Sequence, residues 1–145
     1  MGDVERIRDR SVTLAGVVGE NVEVPSANPV NYYQAVNDPA GCESVVVDGK
    51  LFLPQADGPL PLVMVVPGSL GIADSHVSHA ETLVAAGHAV FLLDPFGARA
   101  IRSTVANQTP YSFAASSFDV LASLVVLADH RAIDPKRISA QGHSR

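Results

Sequence analysis

Apolar runs and helical segments alternate along the chain from residue 43 onward. The continuous apolar runs 62–66 and 89–93 are typical of parallel strands that are buried on both faces. A helix between these two runs is expected to end at Gly87 as its C-cap. A later helix is predicted over residues 112–129, where apolar residues recur at helical spacing. A short strand is predicted at 137–140. Strands that alternate with helices in this way imply right-handed crossovers and a parallel sheet with helices on both faces.

An antiparallel hairpin is predicted ahead of this alternation. Residues 43–47 form a run rich in β-branched side chains, and residues 50–53 are expected to return as a second strand. Asp48-Gly49 between them is a strong hairpin turn signal. The predicted fold class is therefore α/β, with an antiparallel hairpin followed by a parallel βαβαβ unit.

The first 40 residues have a less regular pattern. Valine and leucine residues between positions 12 and 18 indicate a short strand, whereas Pro25, Pro29 and Pro39 predict loops. We therefore divide the chain into an N-terminal extension of unclear role, residues 1–40, and an α/β domain, residues 41–145. That domain is expected to continue beyond the last residue.

Composition narrows the classes of partner. The chain has 145 residues, of which 47% are hydrophobic and 17% charged, as expected for one globular domain. A net charge of -5 argues against nucleic acid or an anionic membrane as the main partner. The apolar runs are far shorter than the roughly 20 residues that a membrane-spanning helix needs. The first ten residues lack the apolar core of a signal peptide, which favours a cytoplasmic location.

Neither a cofactor nor a metal ion is predicted. Cys42 is the only cysteine, so no intrachain disulfide can form. His76 and His79 have a spacing that can place two ligands on one helix face, but no third ligand follows at a useful distance. A solvated helix start is the preferred interpretation of this pair. The glycine-rich segment after residue 66 matches neither a dinucleotide nor a P-loop pattern.

The last four residues, Gly142-His143-Ser144-Arg145, stop one residue short of a complete G-x-S-x-G motif. Directly after a short strand, this sequence predicts the strained strand-to-helix turn that exposes a nucleophilic serine. Ser144 is then the nucleophile of ester or lactone hydrolysis, and an ordinary serine in a strand-to-loop turn is the alternative. We therefore expect the chain to be the N-terminal part of an enzyme.

Three loops are expected to meet at this motif, because active sites of parallel sheets lie at the carboxyl ends of the strands. They span residues 67–71, 94–102 and 142–145. Acyl transfer needs two N–H donors for the oxyanion. The amide of Arg145 is predicted to supply one, and the 67–71 loop, where glycines allow close approach, the other. A plain strand-to-helix turn is the alternative for that loop.

Other polar residues near this edge have a functional and a structural interpretation. His143 is adjacent to the nucleophile, so it is expected to pack against or line the pocket rather than act as the general base. Asp94 could be an acid partner, but its Asp-Pro context favours a structural turn. Arg99 and Arg102 could each bind a substrate carboxylate, and loop salt bridges are the alternative. A solvated helix face is predicted for two further carboxylates, Asp119 and Asp129.

Residues 45 to 145 resemble the dienelactone hydrolase family of α/β-hydrolases. The likeness is carried by residues 62–71 (LVMVVPGSLG), by residues 83–99 and by residues 133–138 leading into Gly-His-Ser-Arg. The resemblance implies an eight-stranded sheet and a triad in the chain order nucleophile, acid, histidine.

By position, the resemblance implies that Ser144 is the nucleophile and that the amides of Ser69 and Arg145 are the oxyanion donors. It also implies that Arg99 binds a substrate carboxylate, and we place Leu70 and His143 in the substrate pocket. Two positions depart from the family, which has a cysteine nucleophile and a glutamate where Gly68 stands. A carboxylesterase-like activity is therefore expected rather than hydrolysis of dienelactone itself.

The predicted function is that of a serine hydrolase that acts on a small-molecule ester or lactone through an acyl-enzyme on Ser144. The chain is expected to be inactive alone, because the acid and the histidine of the triad would follow Arg145. The alternative is a non-catalytic α/β module that pairs with another chain through the exposed edge of the 137–140 strand. Homo-oligomerisation is compatible with either hypothesis.

Overall fold

The computed structural model describes residues 5–143. They form seven strands and three α-helices, together with three short 3-10 helices at Ile7–Asp9, Pro39–Gly41 and Gly97–Arg99. The strands are β1 (Thr13–Leu14), β2 (Val17–Val18), β3 (Glu20–Asn28), β4 (Glu43–Phe52), β5 (Leu60–Val66), β6 (Ala89–Asp94) and β7 (Ile133–Gly142). The helices are α1 (Tyr32–Asn37), α2 (Asp74–Ala85) and α3 (Phe113–Ala128).

Five of the strands form one mixed sheet in the order β3-β4-β6-β5-β7. Strand β5 pairs in parallel with β6 on one side and with β7 on the other. Strands β3 and β4 are antiparallel to each other, and β4 is antiparallel to β6. The predicted class, an antiparallel hairpin followed by a parallel βαβαβ unit, is confirmed.

The hairpin turn predicted at Asp48-Gly49 is wrong, since both residues lie inside the continuous strand β4. A Cβ atom at Gly49 would lie 2.6 Å from the carbonyl oxygen of Leu92 and would also meet the Phe91 ring. Glycine is therefore needed here because the neighbouring strand β6 approaches closely. A close approach of another backbone, and not a turn, explains this glycine inside a strand. The side chain of Asp48 is 1% exposed and forms an ion pair with Arg6 at 2.7 Å.

The partner of β4 in the hairpin is β3, which lies in the segment predicted to be irregular. That expectation is wrong for residues 20–28, which pair with β4 along their whole length. Pro25 is tolerated because β3 lies at an edge of the described sheet. On the side without a neighbouring strand, no hydrogen bond of the sheet needs the backbone N–H that proline lacks. The single short strand indicated between residues 12 and 18 is instead two two-residue strands, β1 and β2, that pair in an antiparallel ladder.

Helices cover both faces of the sheet, as predicted. On one face, Ala80 and Val84 of α2 pack in a cluster with Val65, Val90 and Leu92 of the central strands. On the other face, Leu127 of α3 packs in a cluster with neighbouring positions of the same strands, among them Leu62, Met64, Phe91 and Leu93. The alternation of side chains along each buried strand thus supplies two cores from continuous apolar runs.

Strand β7 is longer than the segment predicted at 137–140. Its pairing with β5 shifts register between Ile133 and Ile138, where Asp134-Pro135 interrupts the ladder. Most of its residues are exposed, and among the described strands only β5 pairs with it. Within residues 5–143, none of the helices has both the length and the apolar content to cross a membrane.

Candidate active site

The loops that follow β5 and β7 meet at the carboxyl edge of the parallel strands. The amide of His143 donates to the carbonyl of Val66 at 3.1 Å, which holds the end of β7 beside the end of β5. An open cavity of about 590 Å³ lies at this edge. Its lining includes Ser69, Leu70 and His143. The loop after β6 adjoins it, since Leu70 and Gly71 also line a cavity of about 200 Å³ with Asp94, Phe96 and Arg102.

The loop after β5 turns tightly at Gly71 and leaves one backbone amide without a partner in the described part of the chain. Gly71 has φ +75°, a left-handed conformation that favours glycine, and its amide donates to the Gly68 carbonyl at 3.0 Å. The Ser69 side chain is half-buried. Among the described residues, no acceptor takes a hydrogen bond from the Ser69 amide. Ser69 itself lines the cavity.

The segment after β6 holds the Ser69 loop in place. The amide of Thr104 donates to the Ser69 carbonyl at 2.8 Å. The side-chain amide of Gln108 donates to Ser69 Oγ at 3.3 Å and to the Thr104 carbonyl at 2.7 Å. Two positioning residues thus come from a long polar loop. Sequence reasoning missed them, because polar loop residues carry no periodic signal and this contact spans more than 30 positions.

Imidazole rings pack beneath the cavity. The ring centroids of His76 and His143 lie 4.2 Å apart in an edge-to-face arrangement, and His79 lies 6.3 Å from His143. His79 also hydrogen bonds to Gln141 on β7. His143 Nε2 is buried without a partner within the described part of the chain. In residues 5–143, no group of three His, Cys, Asp or Glu side chains is arranged to hold a metal ion.

His76 joins α2 to this cluster, and its Nδ1 accepts the Ala73 amide at 2.8 Å at the start of the helix. The side chain is 6% exposed. Burial, and then the neighbouring His143, lower the pKa of His76 below its usual 6.5. The neutral ring is therefore favoured in the folded protein.

Stability is expected to fall as the pH drops from 7.5 to 5.5, in part because of His76. Below pH 6.5 the unfolded chain binds a proton at this residue before the folded protein does. The contribution of neutral His76 to the free energy of unfolding is thus complete above that pH and is lost as the pH falls through the lowered pKa of this residue. His76→Gln should reduce the difference between urea unfolding free energies at the two pH values. His88→Gln replaces a histidine outside the cluster and should reduce this pH-dependent difference less than His76→Gln does. Equal reductions in the two variants would contradict this account.

Arg99 lies in a buried network on the α3 side of the same edge. Its Nε donates to Asn28 Oδ1 at 2.6 Å, and its two terminal nitrogens donate to the Asp119 carboxylate at 2.6 and 2.9 Å. The same two nitrogens also donate to the carbonyls of Pro95 and Ala27. The guanidinium has five N–H groups, so none remains for a substrate carboxylate. Arg99 therefore fits the alternative of a salt bridge in the loop, and its side chain has no donor left to bind a substrate.

Asp119 corrects the prediction of a solvated helix face, because its side chain is fully buried. Besides Arg99, it accepts hydrogen bonds from the hydroxyls of Ser26 and Tyr111, each at 2.5 Å. Burial and the adjacent carboxylate raise the pKa of Tyr111 well above its usual range, so this phenol remains a donor. The network joins β3, the loop after β6 and α3.

Asp94 has the structural role that its Asp-Pro context favoured. Its carboxylate accepts backbone amides from Phe96 and Gly97 at 3.2 and 3.0 Å, and from Ile7 at 2.9 Å. These bonds close the turn after β6 and attach the N-terminal segment to it. The carboxylate is thereby occupied by structural contacts.

The structure positions several of the predicted site residues. Ser69 and Leu70, which is 71% exposed, lie with His143 on the wall of the larger cavity. Ser144 and Arg145 lie outside the described residues. The roles of Ser69, Leu70, His143, Ser144 and Arg145 remain predictions, and the geometry up to His143 is compatible with them.

Similar folds occur among solved structures. One is a dienelactone hydrolase-like promiscuous phosphotriesterase, P91, from metagenomic libraries, with 22% identity and a TM-score of 0.58 over 86% of this chain and 48% of that chain. Another is the thermophilic carboxylesterase EstE1 from a metagenomic library, with 20% identity and a TM-score of 0.55 over 93% and 38%. Esterase Est22 matches at 20% identity and a TM-score of 0.60 over 88% and 35%.

These neighbours show that the chain has the α/β-hydrolase fold. It spans about half, or less, of the length of each neighbour. No protein-family model matches the chain, and no curated protein sequence matches it.

Proposed function

We propose that this chain is the nucleophile-bearing N-terminal part of a serine hydrolase, a carboxylic ester hydrolase of the dienelactone hydrolase type. The observation that carries the proposal is the meeting of the Ser69 loop with His143, the residue directly before Ser144, at the carboxyl edge of the sheet. The α/β-hydrolase fold and the esterases among the structural neighbours support it.

In the proposed reaction, Ser144 Oγ attacks the carbonyl carbon of an ester or lactone while a general base takes its proton. Collapse of the tetrahedral intermediate breaks the bond to the alcohol oxygen, which leaves with that proton. Water then attacks the acyl-enzyme, releases the carboxylic acid and restores the serine. Atoms and charge balance with water as the only co-reactant, and no cofactor is required.

The oxyanion of the intermediate is proposed to lie between the amides of Ser69 and Arg145. The Ser69 amide has no acceptor among the described residues, and Thr104 and Gln108 hold its loop in place. A preorganised N–H donor stabilises the negative charge that develops on the oxygen, because the donor does not have to move during the reaction. One such donor lowers the free energy of the transition state by about 3 kcal/mol.

The acid and the histidine of the triad are proposed to follow Arg145, in the order that the family resemblance implies. The 145-residue chain alone would then lack activity. We propose a small-molecule ester or lactone as substrate and a cytoplasmic location, without nucleic-acid or membrane partners. Serine at the nucleophile position and Gly68 in the adjoining loop favour a carboxylesterase over a dienelactone hydrolase.

Acyl-enzyme trapping tests the proposal. The product of the complete reading frame should release nitrophenolate from p-nitrophenyl butyrate, and acid quenching should leave a butyryl adduct on the peptide that contains Ser144. The 145-residue chain, assayed beside it, should release nitrophenolate no faster than buffer. An adduct found only at another residue, or no ester hydrolysis by the complete product, would refute the assignment.

A second hypothesis, a non-catalytic module that pairs with another chain, is supported by β7. Its outer edge has no partner among the described strands, and exposed edges are ready templates for pairing. A stop codon directly after Arg145, together with a stable stoichiometric complex in size-exclusion chromatography, would favour this hypothesis. A reading frame that continues with a glycine pair would favour the hydrolase.

A further inference from the structure

An apolar groove of about 580 Å³ runs along α3, between that helix, α1 and Pro25 of β3. We propose that this groove binds the hydrocarbon chain of the ester substrate. The inference rests on the proposed hydrolase function and specifies its substrate class as esters with a long apolar acyl chain.

The lining of the groove suits a hydrocarbon chain. Of the eleven described residues that line it, none is charged. Its hydroxyl groups are paired with each other, since Tyr32 Oη lies 3.1 Å from Ser117 Oγ. The large apolar side chains Val36, Leu121 and Val125 are 76%, 62% and 72% exposed. So much apolar surface on one face marks a binding site more often than ordinary protein surface.

Shared lining residues link the groove to the cavity at Ser69. A smaller cavity of about 240 Å³ shares Tyr32 and Ala114 with the groove, and it shares Gln108 with the cavity at Ser69. Gln108 is the residue whose side chain hydrogen bonds to Ser69 Oγ. A route for an acyl chain from the cavity at Ser69 to the groove would therefore run past Gln108 and reach the groove at the N-terminal end of α3.

The dimensions favour a long chain over a short one. The groove follows α3 from Ala114 to Val126, about 18 Å at the helical rise of 1.5 Å per residue. A groove of this length is far longer than a butyryl group, whereas a hexadecanoyl group is long enough to fill most of it. The groove also lies on the β3 side of α3, at the opposite edge of the sheet from β7, so strands added beyond β7 would not cover it.

Introduced charge in the groove tests the proposal in the product of the complete reading frame. Leu121→Glu and Val125→Glu should each weaken hexadecanoate binding, measured by calorimetry, about tenfold or more, because the chain would meet a carboxylate that must lose water. They should raise KM for p-nitrophenyl hexadecanoate by a similar factor and leave KM for p-nitrophenyl butyrate unchanged. Val18→Glu is the matched control, since Val18 is also 72% exposed and lies on β2, away from the groove.

Each outcome has a defined meaning. Unchanged hexadecanoate affinity in both groove variants overturns the inference while leaving butyrate hydrolysis, and the proposed function, intact. Groove-dependent hexadecanoate binding without hydrolysis of any ester supports the groove and refutes the hydrolase. A dimer that Leu121→Glu dissociates, with hexadecanoate affinity unchanged, assigns the groove to a second copy and also overturns the inference.

Discussion

Ser144→Ala is expected to lower kcat for p-nitrophenyl butyrate by about 10⁴-fold or more in the product of the complete reading frame, because loss of the nucleophile removes the covalent route. KM should change little, since the substrate cavity is formed by other side chains. The rate that remains would come from the oxyanion donors acting on water. Initial-rate kinetics over a range of ester concentrations measure both constants.

The matched control for that variant is Ser78→Ala, at an exposed serine on α2. It removes the same hydroxyl group without touching the cavity, so both kinetic constants should stay within twofold of the wild type, a difference of about 0.4 kcal/mol. A Ser144→Ala variant that retains more than a tenth of the wild-type kcat, with its unfolding free energy unchanged, would show that another residue is the nucleophile.

Asp119→Ala is expected to lower the free energy of unfolding by about 3 to 5 kcal/mol, since it leaves the buried charge of Arg99 without a counterion. The Arg99 side chain is 4% exposed and the Asp119 side chain is 0% exposed, so water cannot replace the lost contacts without opening the core. The hydroxyls of Ser26 and Tyr111 would lose their acceptor as well. Urea unfolding followed by circular dichroism measures the change.

Asp129→Ala, at the C-cap of α3, is the control, and the exposed Asp129 carboxylate should contribute no more than about 0.5 kcal/mol. The double variant Arg99→Met/Asp119→Ala should recover part of the loss, because no buried charge is then left unpaired. If Asp119→Ala were as stable as Asp129→Ala, the Arg99–Asp119 network would not contribute to stability in solution.

The parallel part of the sheet could be predicted from the sequence because its signals are local. The runs 62–66 and 89–93 are apolar at every position, which is typical of a strand covered on both faces. Strand β6 and the helix α3 occur within one residue of the predicted bounds, and β5 begins two residues earlier than predicted. The convergence of the loops after β5, β6 and β7 followed from the crossover rule alone.

The hairpin could not be predicted in detail, because the same residues suit two structures. Asp48-Gly49 is a common turn sequence, yet Gly49 is placed there by the close approach of Phe91 and Leu92. Pro25 favours the prediction of a loop unless the strand is known to lie at an edge of the sheet. Both distinctions depend on which strand is the neighbour, which no local pattern records.

The candidate site divides in the same way. The order of strands and helices, the glycine-rich turn at Ser69 and the serine motif at Ser144 are local patterns, and the sequence by itself determined them. Only the tertiary structure decided that Asp119 is buried against Arg99, that Gln108 holds the Ser69 loop and that an apolar groove lies along α3. Such contacts join segments distant along the chain, and the free energy of burial that selects them exists only once the strands and helices have packed.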